Sequence, residues 1–137
     1  MLRMHPVLPF AAIAALDPRL NSLPENVELS SASIAEDFAR CRWALYRGSS
    51  AAVHAVLAGL RPVYVSKRGE MSIDPLHELA TWRRFAEKPD DFLRQVNSDI
   101  QADGQTIASE AQPAIRYCEK YFTPVDVAAL EMAIDLE

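Results

Sequence analysis

The sequence predicts an α/β protein with a parallel sheet of about four strands, flanking helices and a helical C-terminal half. Short apolar runs alternate with helical segments up to residue 66, as in proteins with parallel sheets. A strand, a helix and a strand fit within residues 43–66, which is a compact crossover unit. Apolar residues after residue 75 recur at helical spacing. The 137 residues suit one domain, 1–137, divided into a core over 1–66, a loop over 67–75 and a helical portion over 76–137.

Two strands and two helices are expected before residue 43. Pro9 fits the first turn of a helix because its missing N–H needs no partner there. Ser33 and Glu36 have the spacing of a capping box, in which each side chain accepts a backbone N–H bond from the other residue. The expected strands are Met1–Met4 and Asn26–Leu29, and the expected helices run from Pro9 to about Leu16 and from Ser33 to about Arg40.

Residues 43–66 carry the clearest local pattern. An apolar run with two aromatic residues is followed by Gly48, Ser49 and Ser50, which end a strand and can start a helix. The alanine-rich stretch that follows favours a helix, and Gly59 suits the left-handed position after its last turn. The expected elements are a strand over Trp43–Tyr46, a helix over Ala51–Ala58 and a strand over Val63–Val65.

Four helices are expected in the C-terminal half. Leu79, Trp82 and Phe85 recur at spacings of three, which predicts an amphipathic helix around them. Residues 97–103 are polar and are expected to be exposed. The expected helices are His77–Glu87, one that starts at Pro89, one opened by Pro113, and Val125–Leu136 with Asp126 as its cap.

The composition argues against several classes of protein. A net charge of −5 disfavours a nucleic-acid-binding surface. No apolar stretch approaches ~18 residues, so no transmembrane segment is expected. Cys41 and Cys118 are too few for a disulfide framework and lack metal-ligand spacing, so free thiols and no metal site are expected. These features predict a protein in the cytoplasm or at the inner face of the membrane.

A candidate anion site follows the strand that ends at Tyr46. Ligands of parallel sheets bind at the carboxyl ends of the strands, and serine hydroxyls with backbone N–H groups at a helix start can bind an anion. Arg47 adds a positive charge that can pair with a phosphate or a carboxylate. The sequence therefore predicts a site formed by Arg47, Gly48, Ser49 and Ser50. The alternative, that the serines only cap the helix, stays open.

Three motifs each fall at the end of an expected strand: His5-Pro6, Ser30 and Ser49-Ser50. In this order they resemble the donor-binding, Rossmann-like C-terminal domain of GT-B glycosyltransferases, nearest to bacterial sialyltransferase-like enzymes that use CMP-sugars. The resemblance covers approximately residues 2–80. It implies that His5 stabilises the donor phosphate as leaving group, that Ser30 approaches the base or ribose, and that Ser49 and Ser50 bind the phosphate. It also implies a role in surface-polysaccharide biosynthesis.

His54 departs from the pattern of many UDP-sugar enzymes of this architecture, which carry a glutamate five residues before the glycine. An imidazole cannot give the same two-acceptor contact to a ribose, so a CMP-sugar is favoured over a UDP-sugar as donor. His54 stays a candidate donor-binding residue, and no further cofactor is expected. Glu70 and Asp74 follow the second strand of the 43–66 unit and can either line the site or be solvated loop carboxylates or caps.

The resemblance implies an N-terminal Rossmann domain that binds the acceptor and supplies the general base. A chain of 137 residues has no room for it, so we expect no catalysis by this chain alone. The implied partners are a nucleotide-sugar and a missing domain or partner chain, and an uncovered sheet edge would also favour a homodimer. The alternative function is a truncated or decayed, non-catalytic module that binds a nucleotide or a protein.

Overall fold

The computed structural model describes residues 1–5, 7–124 and 126–134. The chain divides into two compact units, Met1–Cys41 and Arg42–Glu137. Within the described part of the chain, no helix is both long and apolar enough to cross a membrane.

The first unit contains two short helices, α1 (Phe10–Leu16) and α2 (Ile34–Ala39), and a 3-10 turn at Pro18–Asn21. The predicted capping box is confirmed, because the Ser33 hydroxyl accepts the Glu36 N–H and the Glu36 carboxylate accepts the Ser33 N–H. The two strands predicted here are wrong. Leu2 and Leu29 form a single parallel bridge, and neither predicted segment extends into a strand. Pro6, the second residue of the His-Pro motif, lies outside the described residues.

The second unit is built on a parallel sheet of three strands in the order β1 (Trp43–Tyr46), β2 (Arg61–Val65) and β3 (Arg84–Ala86). The α/β class and the parallel pairing of β1 with β2 are confirmed. Tyr46 pairs with Tyr64, and Tyr64 with Phe85, so that three aromatic rings lie side by side across the sheet. Their ring centroids are 5.5 and 6.2 Å apart in edge-on contacts.

The third strand lies where the sequence predicted the helix His77–Glu87, and that prediction is wrong. The residues at spacings of three do not share one buried face, since Leu79 and Trp82 are buried and Phe85 is 49% exposed. Trp82 is buried and donates its indole N–H to the Leu60 carbonyl over 3.0 Å, whereas Phe85 sits in a strand beside Tyr64. A three-residue strand is too short to show alternation in sequence, so its pairing with β2 decides its conformation.

Four helices accompany this sheet: α3 (Ala51–Leu57), α4 (Pro89–Gln101), α5 (Gly104–Glu119) and α6 (Val127–Ile134), with a 3-10 turn at Lys120–Phe122. The expected left-handed Gly59 after α3 is confirmed by its φ of +85°. Asp126 accepts the Ala129 N–H over 3.2 Å, as predicted for a cap, while the predicted ends of α6 at Val125 and Leu136 lie outside the described residues.

Two predictions about α4 and α5 are wrong. Pro113 does not open a helix but lies inside α5, because Asp103 caps that helix earlier by accepting the N–H groups of Gln105 and Thr106. Residues 97–103 are not all exposed, since Asp99 on α4 is buried and ion-paired.

The core of the second unit lies between the sheet and α3 and α5. It combines small residues of α3 with aromatic side chains of the strands, and α5 contributes Ala114 and Cys118. The buried set is Tyr46, Ala52, Val53, Val56, Tyr64, Leu76, Leu79, Trp82, Ala114 and Cys118. The small side chains let α3 pack closely on the sheet, which fixes the position of the loop that precedes it.

Candidate functional site

A cleft of about 730 Å³ opens in the second unit, beside the loops that follow β1 and β2. Its volume is within the ~300–1,000 Å³ range of small-molecule sites. The carboxyl ends of parallel strands are where such sheets bind ligands. The cleft is lined by Gly48, Ser50, Ser72, Ile73, Asp74, Pro75, His77 and Tyr121.

Gly48 makes the turn out of β1 into the cleft. Its φ is +64°, a left-handed conformation that side chains disfavour. A Cβ at this position would lie 3.5 Å from the Ile73 carbonyl oxygen, which is an ordinary contact. The backbone conformation, more than space, therefore calls for glycine here.

Asp74 forms the floor of the cleft and is held by three donors. The Tyr46 hydroxyl donates to its Oδ1 over 2.7 Å and the Leu76 N–H to the same oxygen over 2.9 Å, while Arg83 donates to its Oδ2 over 2.6 Å. Burial first, and then the Asp74 hydrogen bond, raise the pKa of Tyr46, so its hydroxyl stays a neutral donor. Through the Tyr46 bond this carboxylate ties the 72–77 wall to β1.

Ser72 and Tyr121 add hydroxyl groups to the lining of the cleft. Ser72 donates to the Tyr64 hydroxyl over 3.2 Å, and Tyr121 and Tyr117 both donate to the Pro75 carbonyl. Burial and the neighbouring Tyr121 raise the pKa of Tyr117, which therefore keeps its proton at neutral pH. The lining thus combines apolar surface with a few hydroxyl groups, which can hydrogen-bond to a base or a sugar.

The predicted serines lie at the start of α3 and have different environments. The Ser49 hydroxyl accepts the Ala51 N–H over 3.3 Å, a local bond typical of a turn. Ser50 lines the cleft, and within the described residues its hydroxyl makes no bond that caps the helix. Of the predicted site, Gly48 and Ser50 therefore face the cleft.

Arg47 is exposed beside Gly48, and its guanidinium pairs with the Glu70 carboxylate. Lys67 pairs with the same carboxylate over 2.6 Å. Arg47 and Glu70, predicted separately as site residues, are thus brought together, and Lys67 joins them without having been singled out in the sequence.

His5 and Ser30 lie in the first unit, so the single site that would join them to the serines of α3 stays a prediction. The His5 ring accepts the Val7 N–H over 3.3 Å. The Ser30 hydroxyl donates to the Asp37 carboxylate over 2.7 Å and accepts the Ala32 N–H over 3.2 Å. Ser30 therefore already has a local structural role.

His54 is exposed on α3, where its ring centroid lies 4.8 Å from that of Phe122. It is not among the described residues that line the cleft. Its role as a donor-binding residue stays a prediction.

Sequence reasoning missed His77 and Tyr121 as lining residues. The sequence places His77 in a predicted helix, which gives no reason to expect it beside a binding site. Tyr121 belongs to the 3-10 turn at Lys120–Phe122, far along the chain from the other lining residues, and no local motif marks it. Ser72 could have been found, since it follows a parallel strand in the same loop as Asp74. Within the described chain, no group of three or more His, Cys, Asp or Glu residues could hold a metal ion.

No family model matches the chain, and neither the curated proteins nor the solved structures contain a match to it.

Proposed function

We propose that the chain binds a nucleotide-sugar in the cleft and is the donor-binding half of a GT-B-type glycosyltransferase. The observation that carries this proposal is the cleft itself, with Gly48 and Ser50 in its lining at the carboxyl side of a parallel sheet. In this proposal the chain supplies donor binding, and a second domain or chain supplies the acceptor site and the general base. Surface-polysaccharide biosynthesis is the proposed setting.

The charges around the cleft support an anionic ligand. Arg47, Lys67 and Arg68 follow the two strands, and Glu70 pairs with Arg47 and Lys67. The Asp74 charge is balanced by Arg83. Cations in the loops beside a cleft that is lined by apolar and hydroxyl groups suit a ligand with a phosphate at one end and a nucleoside at the other.

His54 remains the reason to favour a CMP-sugar over a UDP-sugar. A glutamate at that position would offer two acceptors to ribose hydroxyls, and an imidazole offers at most one. Cytidine and uridine nucleotides therefore make the most informative pair of ligands.

The second candidate is a module that binds a nucleotide without chemistry. The lining supports binding in either case, because its carboxylate, Asp74, accepts from Tyr46, Leu76 and Arg83 and so has a structural role. Transfer activity tested with added acceptor and a candidate partner domain would separate this module from the donor half.

Calorimetric titration of the full chain with CMP, CDP and UDP tests the common part of both candidates. We expect saturable CMP binding, weakened roughly 2- to 10-fold in Ser50→Ala because one hydrogen bond is lost. Ser98→Ala, the same change on the exposed face of α4, is the matched control and should leave binding unchanged. If none of the three nucleotides binds at millimolar concentration, the proposed function is wrong.

A further inference from the structure

Two cations in the loops that follow β1 and β2, next in the chain to residues that line the cleft or close to them, share one carboxylate. Arg47 follows β1 and Lys67 follows β2, and these strands are neighbours in the sheet. Glu70 places one oxygen on the Arg47 guanidinium and the other on the Lys67 ammonium. The carboxyl ends of two adjacent strands therefore carry a pair of positive groups arranged around a single anion.

A tight turn brings Glu70 into this position. The Glu70 N–H donates to the Lys67 carbonyl over 3.2 Å, and Gly69 has a φ of +82° at the third position of the turn. Positive φ at this position is what a type II turn requires, and glycine meets it without strain. The local sequence Lys-Arg-Gly-Glu thus folds its own carboxylate back between the two cations.

We propose that Arg47 and Lys67 form the subsite for the ligand's phosphate group, and that Glu70 occupies this subsite until a phosphate displaces it. This inference rests on the proposed function. Carboxylate and phosphate oxygens bind guanidinium and ammonium groups in the same way, so Glu70 stands in for the anion that the subsite takes. A phosphate with two negative charges matches the two cations better than a single carboxylate does.

The exposure of the three side chains makes displacement easy. Arg47 and Glu70 are 39% and 40% exposed, and Lys67 is 69% exposed. Exposed ion pairs of this kind contribute little to stability. An internal competitor of that strength reduces the apparent affinity to the intrinsic affinity multiplied by the fraction of molecules in which the subsite is free, which corresponds to a weakening of about two- to five-fold.

A purely structural role for Glu70 predicts a different result. If the ion pairs served only to hold the loop in place, removing the carboxylate charge would loosen the wall of the cleft. Ligand affinity would then fall or stay the same. Competition predicts that it rises, and only for ligands that carry a phosphate.

The experiment compares the wild-type chain with Glu70→Gln and Glu78→Gln by calorimetric titration with CMP and cytidine. Glu78→Gln is the matched control, because it removes the same charge beside the lining residue His77 but from a carboxylate without an arginine partner among the described residues. We expect Glu70→Gln to bind CMP about two- to five-fold more tightly and cytidine unchanged. Glu78→Gln should match the wild type.

Two outcomes overturn the subsite while leaving the proposed function in place. In one, the wild type binds CMP and Glu70→Gln binds it no more tightly. In the other, Glu78→Gln tightens CMP binding as much as Glu70→Gln does, which would show a general charge effect. If CMP binds to neither protein, the proposed function fails, and inorganic pyrophosphate then tests the subsite directly. Tighter pyrophosphate binding by Glu70→Gln supports it, and equal or absent binding overturns it.

Discussion

Ser30 illustrates how one side chain can suit both a ligand site and a local structure. The motif resemblance implies that Ser30 approaches a base or ribose, whereas serine is also favoured in turns. In the folded unit its hydroxyl donates to Asp37, and Arg3 completes the pair with a bond of 2.6 Å to the same carboxylate. The Ser30 hydrogen bond, and then the Arg3 ion pair, hold the pKa of Asp37 below its usual value.

Replacing Ser30 with alanine should raise the pKa of Asp37, because the hydrogen bond that favours its ionised form is removed. The folded-state pKa of Asp37 lies below the unfolded value of ~3.9. Its contribution to stability is therefore present above that value and is lost as the pH falls through the folded-state pKa. Carbon-13 NMR titration of the Asp37 carboxyl in wild type and Ser30→Ala measures the shift.

Ser31→Ala is the control for that titration, since the exposed Ser31 is next in the chain. It should leave the pKa of Asp37 unchanged. An unchanged Asp37 pKa in Ser30→Ala would mean that the hydroxyl does not bond the carboxylate in solution. Ser30 would then be available to bind a ligand.

At the scale of elements, β2 begins at a buried arginine that ties the sheet to two helices. Arg61 pairs with Asp99 of α4 and with Glu110 of α5, and its guanidinium lies 4.2 Å from the centre of the Trp82 ring. Trp43 on β1 donates its indole N–H to the same Asp99 over 3.0 Å. The amino side of the sheet is thus held by charges, while the opposite side carries the cleft.

Arg61→Met should destabilise the second unit by about 3 kcal/mol, because it leaves the buried Asp99 without its main counter-charge. Urea denaturation followed by tryptophan fluorescence measures the loss. Arg42→Met makes the same change at an exposed neighbouring arginine and should cost less than about 1 kcal/mol. Similar losses of stability in both variants would show that the ion pairs of Arg61 stabilise the fold no more than an exposed arginine does.

At the scale of the whole molecule, the two units differ in how much core each contains. The apolar cluster of the second unit consists of residues between Tyr46 and Cys118. The described part of the first unit has Ala14 as its buried apolar residue. Segments of about 40 residues rarely fold alone without a disulfide or a metal. The second unit therefore has what it needs to fold by itself, and the first does not.

A fragment of residues 42–137 should unfold in a single cooperative urea transition, because its buried cluster and all the lining of the cleft belong to it. Circular dichroism in the aromatic region reports whether Trp43 and Trp82 keep a fixed environment. The complementary fragment 1–41 should show no cooperative transition. A 42–137 fragment without cooperative unfolding would show that its core needs the first unit.

Local chemistry by itself determined the turn from β1 to α3, the capping box of α2 and the left-handed Gly59. Each depends on neighbours within about four residues, whose preferences are readable in sequence. Only the tertiary structure decided that residues 84–86 form a strand, that Asp99 is buried and that Glu70 lies between Arg47 and Lys67. The strand and the buried acid depend on partners brought together by chain folding, where burial and pairing outweigh local preference. The residues of these loops were therefore identifiable in the sequence, and the pairing of Glu70 with Arg47 and Lys67 was not.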